Sequence, residues 1–113
     1  MIDNWRPNLR NPNIILDLQP RSSAYFNILE YCRHIGVEVL ADGTSNWVAR
    51  VRKRNGGYMR LRIGAAKRDQ KLELSYEHAV ELAMVWFERP EVSSVAADPY
   101  PLGSKRERIF SAR

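Results

Sequence analysis

The chain has 113 residues, 44% of them hydrophobic, which suffices for one modest domain but not for two independent hydrophobic cores. Its single cysteine, Cys32, excludes an intramolecular disulfide, and the sequence shows neither a long apolar run nor a signal segment, so we expect a cytoplasmic protein without a membrane partner. The net charge is +5, and nine cationic residues lie between residues 46 and 71 against one acidic residue, Asp69, which indicates a polyanionic partner.

The chain is predicted to consist of three parts. Prolines recur among polar residues in residues 1–23, which we predict to form an extended N-terminal arm with one docked turn. Residues 24–90 carry the hydrophobic periodicity and are predicted to form a β-β-β-α domain. Residues 91–113 contain two further prolines and a basic run, which predicts a linker followed by a basic tail.

Three strands are predicted within the domain. Apolar residues alternate with others over residues 34–40, which predicts the first strand. Residues 46–54 and 58–63 alternate cationic and apolar side chains around Asn55-Gly56, the pair most favoured in a type I′ hairpin turn, although Gly57 also permits a longer loop or a bulge. We therefore predict a three-stranded antiparallel β-meander, followed by a polar and basic loop over residues 65–74.

The predicted hairpin has two chemically different faces, because successive side chains on a strand point to opposite sides. Its apolar face carries residues such as Trp47, Val51 and Leu61. Its basic face carries Arg50, Arg52, Arg54, Tyr58, Arg60 and Arg62. Like charges on paired strands repel, and no acidic residue lies between residues 46 and 68 to relieve them, so polyanion binding is the simplest use of this face. Guanidinium groups suit phosphate and guanine because they donate two parallel hydrogen bonds.

One C-terminal α-helix is predicted after the loop. Ser75 is a plausible N-cap, and Pro90 ends the helix at about Arg89 because proline disfavours helical geometry in the residue before it. Apolar residues recur at three- and four-residue spacing along one stripe of this helix, which should pack on the apolar face of the sheet. The predicted fold class is therefore α+β, with a three-stranded antiparallel meander packed against one helix.

Chemistry for catalysis is not apparent in the sequence. His34 and His78 occupy no metal-binding or catalytic-triad spacing, the carboxylates are dispersed, and no glycine-rich phosphate loop follows a predicted strand. We therefore expect no enzymatic activity in this chain, with no catalytic residue, metal site, cofactor or small-molecule substrate.

Several short motifs occur in a familiar order. They are His34-Ile35-Gly36, Trp47-Val48-Ala49-Arg50, Ile63-Gly64, Leu74-Ser75-Tyr76-Glu77-His78-Ala79 and Trp86-Phe87-Glu88-Arg89-Pro90-Glu91. Over about residues 25–104 the chain resembles the N-terminal arm-type DNA-binding domain of phage-integrase-like tyrosine recombinases, which is related in shape to the APETALA2-like fold. The loop before the helix is shorter and more basic here than in similar integrase sequences.

The resemblance implies a double-stranded DNA-binding domain that inserts its sheet into the major groove. By position, the base-reading residues would be the outward strand residues Arg50, Arg52, Arg54, Tyr58, Arg60 and Arg62. Among the remaining basic residues, we expect Lys53, Lys67 and Arg68 to anchor phosphates together with Arg54. These nine residues are the predicted DNA-binding set.

The resemblance also implies a tyrosine recombinase as the parent protein and other recombination proteins as partners. A catalytic domain does not fit before Arg113, so we expect an integrase fragment, a remnant, or a stand-alone nucleic-acid-binding accessory. Two further alternatives stay open: recognition of unpaired RNA bases, and a protein-interaction domain that docks an acidic partner.

Overall fold

The computed structural model, which describes residues 7–97, has an α+β fold built on one antiparallel sheet. Its five strands lie in chain order, β1-β2-β3-β4-β5, and each pairs with the next along the chain. The elements are α1 (Pro12–Asp17), β1 (Tyr25–Glu30), β2 (Arg33–Val39), β3 (Ser45–Arg52), β4 (Tyr58–Arg68), β5 (Lys71–Leu72), α2 (Tyr76–Phe87) and α3 (Pro90–Ser93). The predicted α+β class is confirmed, but the sheet has five strands instead of three.

The two additional strands, β1 and β5, are joined to their neighbours by turns that contain no glycine. Cys32, between β1 and β2, has φ 62°, and Asp69 and Gln70, between β4 and β5, have φ 51° and 65°. Positive φ is uncommon outside glycine, so these turns lack the kind of sequence signal that Asn55-Gly56 gives between β3 and β4. The prediction of a loop over residues 65–74 was wrong, because β4 continues to Arg68 and β5 covers Lys71–Leu72.

The predicted hairpin between β3 and β4 is present with a longer loop. The backbone N–H of Lys53 donates to the carbonyl oxygen of Gly57 at 2.7 Å, which closes a loop of three residues, 54–56. Gly56 has φ 98°, a conformation that glycine adopts without steric cost. The loop is therefore the longer alternative that Gly57 permitted, and not a two-residue type I′ turn.

The helix α2 packs against the apolar side of the sheet, as predicted. Its N-cap is Ser75, whose Oγ accepts a hydrogen bond from the backbone N–H of His78 at 3.1 Å. Ala79 and Ala83 are fully buried in the same cluster as Trp47. The indole Nε1 of Trp47 also donates to the carbonyl oxygen of Leu74 at 2.7 Å, which ties β3 to the start of α2.

Both flanking segments contain a short helix that packs against the core. Within the arm, α1 begins after the N-cap Asn11, and Leu9 and Ile15 are buried in the core. After α2, α3 buries Val92, and Ala96 pairs with Lys53 at the end of β3. The predicted basic tail lies outside the described residues. Within residues 7–97, no helix combines the length and the apolar character needed to cross a membrane.

Candidate nucleic-acid interface

The side of the sheet opposite α2 carries the basic residues, and we call it the open face. Arg50 lies directly opposite Arg60 of β4, and Arg52 lies opposite Tyr58. The open face consists of Phe26, Ile28, His34, Gly36, Glu38, Asn46, Val48, Arg50, Arg52, Tyr58, Arg60 and Arg62. Five of the nine predicted DNA-binding residues, namely Arg50, Arg52, Tyr58, Arg60 and Arg62, are therefore brought together here.

Arg50 stands at the centre of the open face between two aromatic rings. Its guanidinium carbon lies 3.8 Å from the centroid of the Phe26 ring and 4.4 Å from that of Tyr58. Its Nε donates a hydrogen bond to Nδ1 of His34 at 3.2 Å. We call these four residues the central stack. Cation–π contacts and this hydrogen bond fix the guanidinium orientation, and Nη1 and Nη2 form no hydrogen bond within residues 7–97.

The protonation states of the central stack suit this arrangement. Burial, followed by the positive charge of Arg50, lowers the pKa of His34 to about 4. His34 is therefore neutral at pH 7 and can accept the hydrogen bond from Arg50. Burial is also the main cause that lowers the pKa of Arg50, and the nearby charge of Arg60 acts in the same direction. An arginine nevertheless stays charged at neutral pH, so the open face keeps a fixed cation at its centre.

The place of Phe26 depends on Gly36, its partner on β2. A Cβ atom at Gly36 would meet the Phe26 ring and would lie 2.6 Å from the carbonyl oxygen of Tyr25. Both contacts would be shorter than the van der Waals radii allow, so a side chain at position 36 would displace the Phe26 ring. The glycine therefore lets the ring lie over β2 and reach Arg50.

An acidic residue from β2 enters the basic face. Arg62 Nε donates to Glu38 Oε2 at 2.6 Å, and Asn46 Nδ2 donates to the same oxygen at 3.1 Å. Burial favours the neutral acid, but the hydrogen bonds from Arg62 and Asn46 and the charges of Arg62 and Arg60 outweigh it and lower the pKa of Glu38. The carboxylate thus offsets part of the charge of Arg62. The acidic residue that reduces the charge repulsion therefore lies on β2, outside the segment of residues 46–68 in which the sequence has none.

The remaining predicted contacts lie in different environments. Arg54 is exposed in the β3–β4 loop, and Lys53 beside it is half-buried. Arg68 donates to the side-chain oxygen of Asn46 at 3.0 Å and lies at the end of the open face. Lys67, in contrast, is buried, and its Nζ donates to the carbonyl oxygen of Leu16 in α1 at 2.9 Å. The structure therefore separates Lys67 from the other eight residues.

Phe26, His34 and Glu38 are site residues that the sequence did not reveal. The sequence placed none of them opposite the basic residues, because their position depends on the register of β1 and β2. The alternation of Phe26 and Ile28 with the more buried Tyr25 is a signal that could have placed Phe26 on the open face.

Comparison with known proteins gives no assignment. No protein-family model matches the chain, and neither a curated protein nor a solved structure matches it. Within residues 7–97, no group of three or more His, Cys, Asp and Glu side chains is arranged to hold a metal ion. Function must therefore be argued from the chemistry of the open face.

Proposed function

We propose that this chain is a sequence-reading double-stranded DNA-binding domain whose open face enters the major groove. The observation that carries the proposal is the position of Arg50, Arg52, Tyr58, Arg60 and Arg62 on the sheet face that α2 leaves uncovered. Strands fit the major groove, and an arginine that donates two hydrogen bonds to O6 and N7 is the commonest specific contact to guanine.

The arginines of the open face would have different roles. Arg50 is held by the central stack, so it reaches a base edge with little loss of side-chain entropy. Arg52 and Arg60 are exposed, and neither forms an ion pair within residues 7–97. They therefore remain free to contact base edges beside Arg50.

Phosphate contacts would lie around this base-reading centre. Arg54 is exposed at the tip of the β3–β4 hairpin, and Lys53 precedes it. Arg68 lies at the other end of the open face, where its side chain donates a hydrogen bond to Asn46. Lys67 is left out of the proposed interface because its Nζ bonds α1. Contacts of this kind position the protein on the duplex and carry no sequence information directly.

The proposal includes the integrase-type arrangement of strands and helix that the resemblance implied. The strands β2, β3 and β4 with α2 would correspond to the meander and helix of an integrase arm-type domain, and β1 and β5 would be additions to it. A recombinase parent, other recombination proteins as partners and a cytoplasmic location belong to the same proposal.

Recognition of unpaired bases is a second candidate, which the aromatic residues of the open face favour. Phe26 and Tyr58 could stack on bases as single-strand binding proteins do. However, Arg50 already lies over both rings, and a base could stack on those faces only after Arg50 moves. The occupied rings therefore support a duplex ligand, to which Arg50 offers its free nitrogens.

The test is a fluorescence-anisotropy titration with a duplex pool and with single-stranded DNA and RNA, at about 50 and 200 mM salt, the range in which phosphate-dependent binding weakens steeply. We expect saturable, salt-dependent duplex binding and enrichment of particular sequences from the pool. Arg52→Ala and Arg60→Ala should each weaken binding to the enriched duplex by about 1–3 kcal/mol.

Arg89→Ala is the control, since Arg89 is exposed beside α3 and pairs with Glu91 at 3.9 Å. It removes the same charge, and its duplex affinity should stay close to that of the wild type. Tighter binding of single strands than of duplex would favour the second candidate. Failure to bind any nucleic acid at low salt would overturn the proposal and favour an acidic protein partner.

A further inference from the structure

A groove of about 520 Å³ lies at the outer edge of β1, beside the open face. Its lining includes three arginines, Arg10, Arg21 and Arg50, together with Asn8 and Asn27. Among the described residues that line it, none is acidic. We call it the β1-edge groove. Arg50 belongs both to this groove and to the central stack, so the two sites are continuous.

The position of Arg10 is fixed by its neighbours and not by a carboxylate. Asn27 Nδ2 donates to the carbonyl oxygen of Pro7 at 2.8 Å, and Asn27 Oδ1 accepts from the N–H of Leu9 at 2.9 Å. Leu9 is fully buried, which anchors the backbone next to Arg10. The guanidinium carbon of Arg10 lies 5.5 Å from the centroid of the Tyr76 ring.

Arg21 is held even more firmly. Its Nε donates to the carbonyl oxygen of Ser23 at 2.9 Å, and its Nη2 donates to that of Ala24 at 3.1 Å. Its guanidinium carbon lies 3.7 Å from the centroid of the Tyr25 ring. These contacts orient the guanidinium, and its Nη1 forms no hydrogen bond in the described part of the chain.

The charge of the β1-edge groove is not compensated within the described part of the chain. Across residues 7–97, none of its three arginines has a carboxylate oxygen within 4.0 Å, the distance that defines an ion pair. Like charges that line a cleft reinforce one another's field and attract anions. A phosphate group, which accepts several charge-assisted hydrogen bonds, is the ligand that such a cleft suits best.

We propose that the β1-edge groove binds a backbone phosphate of the DNA strand opposite the one that lies along β4, an inference that rests on the proposed function. β1 and β4 are three strand spacings apart, about 14 Å, and the major groove is about 12 Å wide. A sheet centred in that groove therefore places its two edges near opposite phosphate backbones. Arg10 and Arg21 hold the phosphate, and Arg50 joins this contact to the base-reading centre.

The test compares the salt dependence of duplex binding for the wild type, Arg10→Gln and Arg89→Gln. Each lost phosphate contact should reduce the slope of log K against log salt by about 0.9, uniformly across sequences. We therefore expect a shallower slope for Arg10→Gln and a wild-type slope for Arg89→Gln. The double variant Arg10→Gln/Arg21→Gln should lose about twice as much slope.

The melting temperature of each variant is measured as well, because Arg21 also bonds the local backbone. A melting temperature equal to that of the wild type would show that a change in slope reflects binding and not unfolding. Suppose that the wild type binds duplex, that Arg60→Ala weakens this binding, and that Arg10→Gln keeps the wild-type salt slope. The groove inference would then be wrong, and the proposed function would stand. If the wild type binds no duplex, the groove inference and the proposed function fail together.

A free phosphate compound is the other possible source of the ligand. Titrations with inorganic phosphate and with adenosine monophosphate distinguish it from the DNA backbone. We expect both compounds to bind far more weakly than duplex. Tight, Arg10-dependent binding of either compound, with no effect of Arg10→Gln on duplex binding, would overturn the inference.

Discussion

The two faces of the sheet bury their apolar side chains in different ways. On the helix-covered face, Trp47 and Val51 are buried by α2 and the flanking segments. On the open face, Val48 is only 3% exposed, although no helix covers it within residues 7–97. Its cross-strand neighbours are Arg62 and Gly36, and the Phe26 ring lies over the latter. The open face is thus covered by its own arginine and aromatic side chains.

This difference explains how the sheet tolerates its arginines. Arg50 and Arg60 lie directly opposite each other, but Arg50 is stacked between two rings and Arg62 pairs with Glu38. Arg52 and Arg60 are exposed and form no ion pair within residues 7–97. The helix-covered face therefore supplies stability, and the open face combines a rigid centre with free cations for a ligand.

The largest effect expected is the loss of stability in Trp47→Ala. Trp47 is 0% exposed and donates a hydrogen bond to Leu74, so its removal should cost about 3–5 kcal/mol. Tyr58→Ala is the matched aromatic deletion on the open face, where Tyr58 is 46% exposed, and it should cost about 0.5–1.5 kcal/mol. Urea denaturation measures both. Equal costs would show that the two faces do not differ as described.

A smaller effect is expected from Gly36→Ala, which tests the central stack. The added Cβ meets Phe26 and the Tyr25 backbone, so overpacking should cost about 1–3 kcal/mol and weaken duplex binding through Arg50. Gly64→Ala is the control, because a Cβ there meets only Leu74 at 3.6 Å, an ordinary contact. Thermal melting and duplex titration report the two effects. A Gly36→Ala protein with wild-type stability and affinity would contradict the role given to Gly36.

The smallest effect is expected from Glu38→Gln, which removes the acidic charge from the open face. Arg62 is largely exposed, so the ion pair should contribute at most about 1 kcal/mol to stability. Duplex affinity should nevertheless rise a few-fold, more at low salt than at high salt, because Arg62 is released. Glu91→Gln removes the same charge on the side of α3 and should leave affinity unchanged. Weaker duplex binding by Glu38→Gln would contradict this use of the open face.

The sequence predicted the parts of the fold that local patterns determine. Alternation around Asn55-Gly56 and the Ser75 cap located the β3–β4 hairpin and α2. It did not reveal β1, because the turn at Cys32 uses a non-glycine residue at positive φ. The central stack could not be predicted either, because its Phe26 lies on β1.

The position of Lys67 shows a second limit of local patterns. The pairing of β3 with β4 shifts register between Ser45 and Asn46 and again between Trp47 and Val48. A shift of one residue moves a side chain to the other face of a sheet. The two shifts cancel, so alternation counted from Arg62 puts Lys67 on the helix-covered face, where its side chain bonds α1. The prediction missed this position because it assigned residues 65–74 to a loop, whereas β4 continues to Arg68.

The most direct test of the proposed interface is an NMR titration of the ¹⁵N-labelled protein with the duplex enriched from the pool. We predict that the largest amide shift changes fall in β3 and β4, at Arg50, Arg52 and residues 58–62, with smaller changes beside the β1-edge groove. Changes confined to α2, residues 76–87, with an unaltered open face, would contradict the assignment of the arginine-bearing face as the nucleic-acid interface.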